Sequence, residues 1–283
     1  MGVINRWKAA AREKLQRAVA EVVTEAVDAQ STRTRQHQSD LHAETLAKLG
    51  GLTPQLEDVS ARLHAVHRYL EELEQRVRRD ISHSQDIRAT EESATLVLEH
   101  MAKAPVFWHP HDTLRFALSE IKGPGLALEF GVATGTTLAI IAETVAADRA
   151  VVGFDSFTGL PETWRTHFPA GEFAQDPPVD IPGATIVAGL FEDVLPTFLA
   201  QNDEPIAFMH LDADLYASTK TVLDLTADRL APDAVLLFDE FFNYPGWQDH
   251  EFRAWSEFIA ATGRTFEYLG YTGNNEQVAI RLH

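Results

Sequence analysis

The chain has 283 residues, 45% of them apolar, a formal net charge of −18 and no cysteine. That length holds one sizeable α/β domain plus an accessory segment, and the missing cysteine excludes disulfides, thiolate metal sites and cysteine nucleophiles. From Lys122 onward 8 Lys/Arg stand against 24 Asp/Glu, a net of −16, while residues 1–40 carry 7 basic and 5 acidic side chains, a net of +2; so acidic a C-terminal part repels nucleic acid and suits neutral or cationic ligands, a divalent cation included.

The opening MGVINRWKAAAREK lacks an apolar stretch of signal-peptide length, and no run of 18 apolar residues occurs anywhere, so the expectation is a cytoplasmic protein without a transmembrane segment. Residues 3–28 read as one amphipathic helix. GGLTP at 50–54 reads as a break, with Thr53 placed to cap a new helix and Pro54 at its first position. Around and beyond it Leu52, Leu56, Val59, Leu63, Val66, Leu70, Leu73 and Val77 recur at alternating spacings of 4 and 3, ringed by charge as in YLEELEQRVRRD. This heptad seam predicts a coiled coil over about 52–81 and a homo-oligomer formed through the N-terminal helices.

Residues 1–104 are thus assigned to a helical segment and 105–283 to a second domain whose pattern is different. LALEFGV (126–132), AVVGFDSF (150–157), ATIVAGLF (184–191), PIAFMHLDAD (205–214) and AVLLFDEFF (234–242) are near-continuous apolar strands, each followed by a helical pattern except AVVGFDSF, and TFEYLGYTG with EQVAIRLH closes as a hairpin. Apolar strands alternating with helices predict a parallel, doubly wound sheet with ligands at the strands' C-terminal ends. The Gly/Pro-rich connection 158–183 is long enough to be a lid, with Trp164, His167 and Phe168 as candidate pocket residues.

Two clusters at those strand ends carry chemistry. In LEFGVATGTT, Gly131 and Gly135 permit a tight turn, but the spacing matches neither a dinucleotide fingerprint nor a phosphate-binding loop. Asp155 ends the next strand, where an acid can accept both hydroxyls of a ribose. The second cluster is acidic. Asp212 and Asp214, two residues apart on one strand face, and Asp239 and Glu240 on the neighbouring strand all follow buried apolar runs. Solvated loop charge fits that setting poorly, and hard oxygen donors converging on one point suit Mg²⁺ or Ca²⁺. His210 reads as a core histidine.

Five motifs, LEFGVATGTT, GFDSF, GLFEDVLPTF, HLDADLY and LLFDEF, come in the order and spacing of class I S-adenosylmethionine-dependent methyltransferases. Over roughly residues 105–283 the set resembles the metal-dependent macrocin-type sugar O-methyltransferases, with catechol O-methyltransferase more distant. The resemblance implies an α/β fold with a seven-stranded Rossmann-like sheet and a C-terminal hairpin. It implies S-adenosylmethionine held by Glu129, Gly131, Gly135, Thr137, Asp155, Ser156, Phe191 and Glu192, and Mg²⁺ or another divalent cation held by Asp212, Asp239 and Glu240. The lysine base of catechol-type enzymes is absent, since Leu215 stands at that place, so the resemblance points to Asp214 as the base with Asp212 as the alternative. The reading is O-methyl transfer to a sugar or glycoside hydroxyl. A catechol-type acceptor, or a non-catalytic methyltransferase-like scaffold, is the alternative.

Overall fold

The computed structural model describes residues 2–178 and 180–283, with side chains described outside 2–10 and 53. It divides into two compact units, Met1–Arg79 and Asp80–His283.

The first unit is one α-helix, α1 (Gly2–Arg79). The expected break at 50–54 does not form, because Thr53 and Pro54 lie inside the helix. In the heptad frame Gly50, Gly51 and Pro54 occupy positions b, c and f, away from the seam. A proline there removes one i→i−4 bond from a long helix without touching its apolar stripe. The seam side chains are exposed, from 41% at Leu73 to 68% at Leu56.

The second unit opens with α2 (Ile81–His100), capped by Asp80, whose carboxylate accepts from the Ser82 and His83 backbone N–H groups. After β1 (Val106–Phe107) and α3 (Pro110–Ser119) come β2 (Leu126–Phe130), α4 (Thr136–Val145), β3 (Val151–Asp155), β4 (Ala184–Ala188), α5 (Phe191–Gln201), β5 (Ile206–Leu211), α6 (Tyr216–Thr226), β6 (Leu230–Phe238), α7 (Glu251–Thr262), β7 (Phe266–Thr272) and β8 (Val278–Leu282). The sheet order is β1-β7-β8-β6-β5-β2-β3-β4. Neighbours from β6 to β4 run parallel, and β8 is antiparallel to both β6 and β7. This is the expected doubly wound sheet, with one strand more. The two-residue β1 adds to β7 and has no apolar alternation long enough to show in the sequence.

Strand alternation sorts the core into two layers. Leu128, Phe130, Met209, Leu211, Leu236 and Phe238 pack on one face, and Ala127, Phe208, Val235 and Leu237 on the other. Chain order reverses between β2 and β5, which places the crevice of a doubly wound sheet at their C-terminal ends.

Candidate active site

The glycine turn after β2 forms the floor of the site. Gly131 has φ +98°, and a Cβ there would lie 1.8 Å from the Asp212 carbonyl oxygen, so only glycine lets β2 and the end of β5 approach this closely. Ala133 follows at φ 44°, and Gly135 (φ +79°) stands at the N-cap of α4. Asp155, at the end of β3, clasps the turn. Its Oδ2 accepts from the Val132 and Ala133 N–H groups at 2.9 and 2.8 Å, and its Oδ1 from Phe157 N–H at 2.7 Å.

Across β2, β5 and β6, adjacent in the sheet, three titratable side chains share one face. Glu129 and His210 are register partners, and His210 Nδ1 lies 2.8 Å from Glu129 Oε1. The other ring nitrogen, Nε2, lies 3.4 Å from Asp239 Oδ1. Burial alone would push the imidazole toward neutrality. The bonds and charges of Asp239 and Glu129 outweigh it and hold His210 well above its ordinary range. The expected core histidine is therefore core by burial, at 1% exposure, and a bridge between two acids by contact. Its signal was present as alternation with Glu129 and Asp239 on neighbouring strands, which becomes readable only once strand order is known.

Past the last residue of β5 the chain turns, with Asp214 at φ 57°, a conformation uncommon for a residue with a Cβ. Asp212 and Asp214 therefore do not come together by strand alternation, as the sequence suggested. β5 ends at Leu211, and the left-handed residue re-aims the second carboxylate. One carboxylate oxygen each of Asp212, Asp214 and Glu240 lie within 4.8 Å of one another. Asp239 is outside that group, with an oxygen toward His210. Burial and the charges of its neighbours raise Asp212 and Glu240 well above the carboxylate range. Asp214, 9% exposed, is pushed up to about 7 by burial, with Arg165 opposing the rise. Beneath them Glu251, fully buried, accepts the Glu240 backbone N–H on Oε2 at 3.0 Å. Sequence reasoning missed it because Glu251 sits in an ordinary first turn of α7.

These groups open into a cavity of about 610 Å³, of the size that takes small-molecule ligands. Gly131, Asp155, Ser156, Phe191, Glu192, Asp212, Asp214, Asp239 and Glu240 line it. Glu129, Gly135 and Thr137, also expected around a cofactor, do not line it. Phe191 was expected at a strand end. It begins α5 instead and packs edge-to-face on Phe130. Of the connection between β3 and β4, Trp164 and Phe168 reach the cavity and His167 does not. Arg165, unremarked in the sequence, is seated over the Trp164 and Tyr244 rings, 3.9 and 4.6 Å from their centroids, and pairs with Glu276 at 3.3 Å.

Residues 128–241 match a family model described as a methyltransferase domain, a span that runs from β2 to just past Glu240. Similar solved structures include the calicheamicin methyltransferase CalS11, 24% identical over 69% of this chain and 91% of that one, with a TM-score of 0.49. The O-methyltransferase NovP is 22% identical over 60% and 78%, with a TM-score of 0.47. An O-methyltransferase from Bacillus cereus, solved with SAH, is 19% identical over 77% and 96%, with a TM-score of 0.42. No curated protein matches the chain. The matched span lies within the doubly wound sheet, from β2 to the residues just after β6. Among the described residues no helix is long and apolar enough to cross a membrane.

Asp155→Asn keeps the side chain's size but sets an amide against backbone donors. Charge-assisted bonds of this kind are each worth about 1.5–3 kcal/mol, so the variant is expected to lose several degrees of thermal stability by scanning calorimetry. Unchanged thermal stability would remove Asp155 as the clasp of the turn.

Proposed function

We propose that the chain is an S-adenosylmethionine- and divalent-metal-dependent O-methyltransferase acting on a hydroxyl of a sugar or glycoside. The observation that carries this reading is the convergence of Asp212, Asp214 and Glu240 on one point of the cavity that the glycine turn also lines. A buried oxygen supports it. Glu240 Oε2 has no hydrogen-bond partner, and a buried unpaired carboxylate oxygen calls for a cation, which a divalent ion supplies. Seven acids line the cavity (Asp155, Glu162, Glu192, Asp212, Asp214, Asp239 and Glu240) against Arg165 alone among Lys and Arg. That balance favours a sulfonium cofactor and a neutral acceptor over a phosphorylated one.

When bound, S-adenosylmethionine supplies an electrophilic methyl group, and a divalent cation lowers the pKa of an acceptor hydroxyl. The chain's own part is alignment, proton removal and exclusion of water. Asp212 and Glu240 are assigned to the cation, with Asp239 beside them held by His210. Asp214 is assigned as the base, since a carboxylate raised to about 7 takes a proton at neutral pH far better than an ordinary one. Gly131, Asp155, Ser156, Phe191 and Glu192 line the cofactor end, with Glu129, Gly135 and Thr137 supporting the turn. Trp164 and Phe168 line the cavity and shield the reacting atoms. An aromatic acceptor would use the same rings, but Leu215 stands where catechol-type enzymes carry their lysine.

By calorimetry Mg²⁺ is expected to bind, and Asp212→Asn or Glu240→Gln to weaken it more than tenfold with S-adenosylhomocysteine affinity held within a few-fold. A cofactor-consumption screen over sugars, glycosides and catechols should show turnover on a glycosyl hydroxyl that EDTA abolishes. Full activity after EDTA would sink the metal assignment, and failure to bind S-adenosylhomocysteine would favour the scaffold.

The raised acids also set a pH dependence. A carboxyl whose folded pKa lies above its unfolded value stabilises the fold fully below the unfolded pKa, and that stability is lost as pH rises through the folded one. For Asp214 the window runs from about 4 to about 7. Metal-free protein should therefore melt at progressively lower temperature as pH rises through that window, Mg²⁺ should offset the loss, and Asp214→Asn should flatten the slope. A metal-free melting curve rising across the window in step with Asp214 ionisation would contradict the assignment.

A further inference from the structure

The methyl-transfer reading leaves the seam of α1 without a use. The structure extends it by one residue, Leu49, because the helix does not break at 50–54. Positions a are then Leu49, Leu56, Leu63, Leu70 and Val77, and positions d are Leu52, Val59, Val66 and Leu73. All nine are 41–68% exposed, and among its described residues the unit Met1–Arg79 consists of α1.

We infer that residues 49–77 of α1 bind the same segment of a second copy of this chain as a parallel coiled coil. The period identifies the partner. A strict 3.5-residue repeat over four heptads matches a helix carrying the same repeat, since only a supercoiled partner keeps such a stripe in contact. A membrane surface is a poor match, because residues 48–79 carry 6 basic and 5 acidic side chains, without the cationic excess of an interfacial helix. The poor helix formers Gly50, Gly51 and Pro54 sit at b, c and f, clear of the contact.

The flanking rows decide the orientation. Positions g are Lys48, Gln55, Arg62, Tyr69 and Arg76, and positions e include Ser60, His67 and Glu74. In a parallel pair each g meets the e five residues further along. Gln55 then faces Ser60, Arg62 faces His67, and Tyr69 faces Glu74, with no two fixed like charges opposed, while all nine seam residues meet their own counterparts. An antiparallel pair layers a against d and leaves one of the nine unmatched. In the register that includes Leu49 it also sets Arg62 against Arg62 and Lys48 against Arg76. Parallel pairing makes the methyltransferase units of both copies follow from the same end of the bundle.

The test uses the full chain. Light scattering at micromolar concentration should give a multiple of 31.5 kDa, Leu63→Asp with Val66→Asp should return it to 31.5 kDa, and Arg68→Ala at position f should leave the multiple unchanged. Unaltered S-adenosylhomocysteine affinity, or an unaltered main thermal transition, shows that the rest of the chain stays folded in these variants. The chain has no cysteine, so Leu52→Cys adds a single thiol, and oxidation should link two copies through it. A monomeric unsubstituted chain, a multimer that survives the double substitution, or an assembled Leu52→Cys variant that does not cross-link would each overturn the proposal.

Discussion

Six carboxylates, Glu129, Asp212, Asp214, Asp239, Glu240 and Glu251, are gathered near the C-terminal edge of the sheet, with one imidazole between two of them, and most are buried. Everything else in the site accommodates that constraint. Like charges this close cannot all ionise in a dry setting. Each pKa unit of displacement marks about 1.4 kcal/mol, so the rise of Asp214 alone amounts to several. Folded domains have only about 5–15 kcal/mol in total. His210 and backbone donors help to tolerate the cluster. His210 lies between Glu129 and Asp239, and Glu251, pushed up by burial, accepts a backbone N–H. The unpartnered oxygen of Glu240 marks where they fall short.

The fold explains why the cluster stands where it does. Parallel strands end together, so acids placed just after β5 and β6 meet without long-range design. The approach of β2 to β5 requires Gly131, and the turn that results presents backbone donors that Asp155 must satisfy. The turn and the acidic cluster are thus two consequences of one crossing. Asp155 therefore carries a structural duty at the turn, which is why its removal bears on stability.

The sheet was legible because its strands are apolar runs bounded by turn residues, and the acids were legible because each follows such a run. What stayed hidden depended on tertiary proximity. His210 looked like a core residue because nothing in HLDADLY says that Glu129 is its register partner. Glu251 looked like a first-turn acid, and only the packing of α7 brings it under Glu240. The convergence of Asp212 and Asp214 was expected for the wrong reason, since the strand stops before them and a left-handed residue supplies the geometry. GGLTP failed as a break because local propensity is weak against a long helix whose seam those residues do not touch.

Arg165 connects the lid to this electrostatics. It is seated on Trp164 and Tyr244 and bridged to Glu276, so it pins the β3–β4 connection to the loop after β6 and to the β7–β8 turn. Burial raises Asp214, and the Arg165 charge opposes the rise. An excluded-water site alone would push that carboxyl further toward a permanently protonated acid, unable to take a proton. A cation carried by the covering loop itself counters that drift. The loop that lines the cavity therefore also brings the charge that opposes the rise of Asp214, and an arginine seated against rings suits the task because its planar cation stacks where a lysine would demand water.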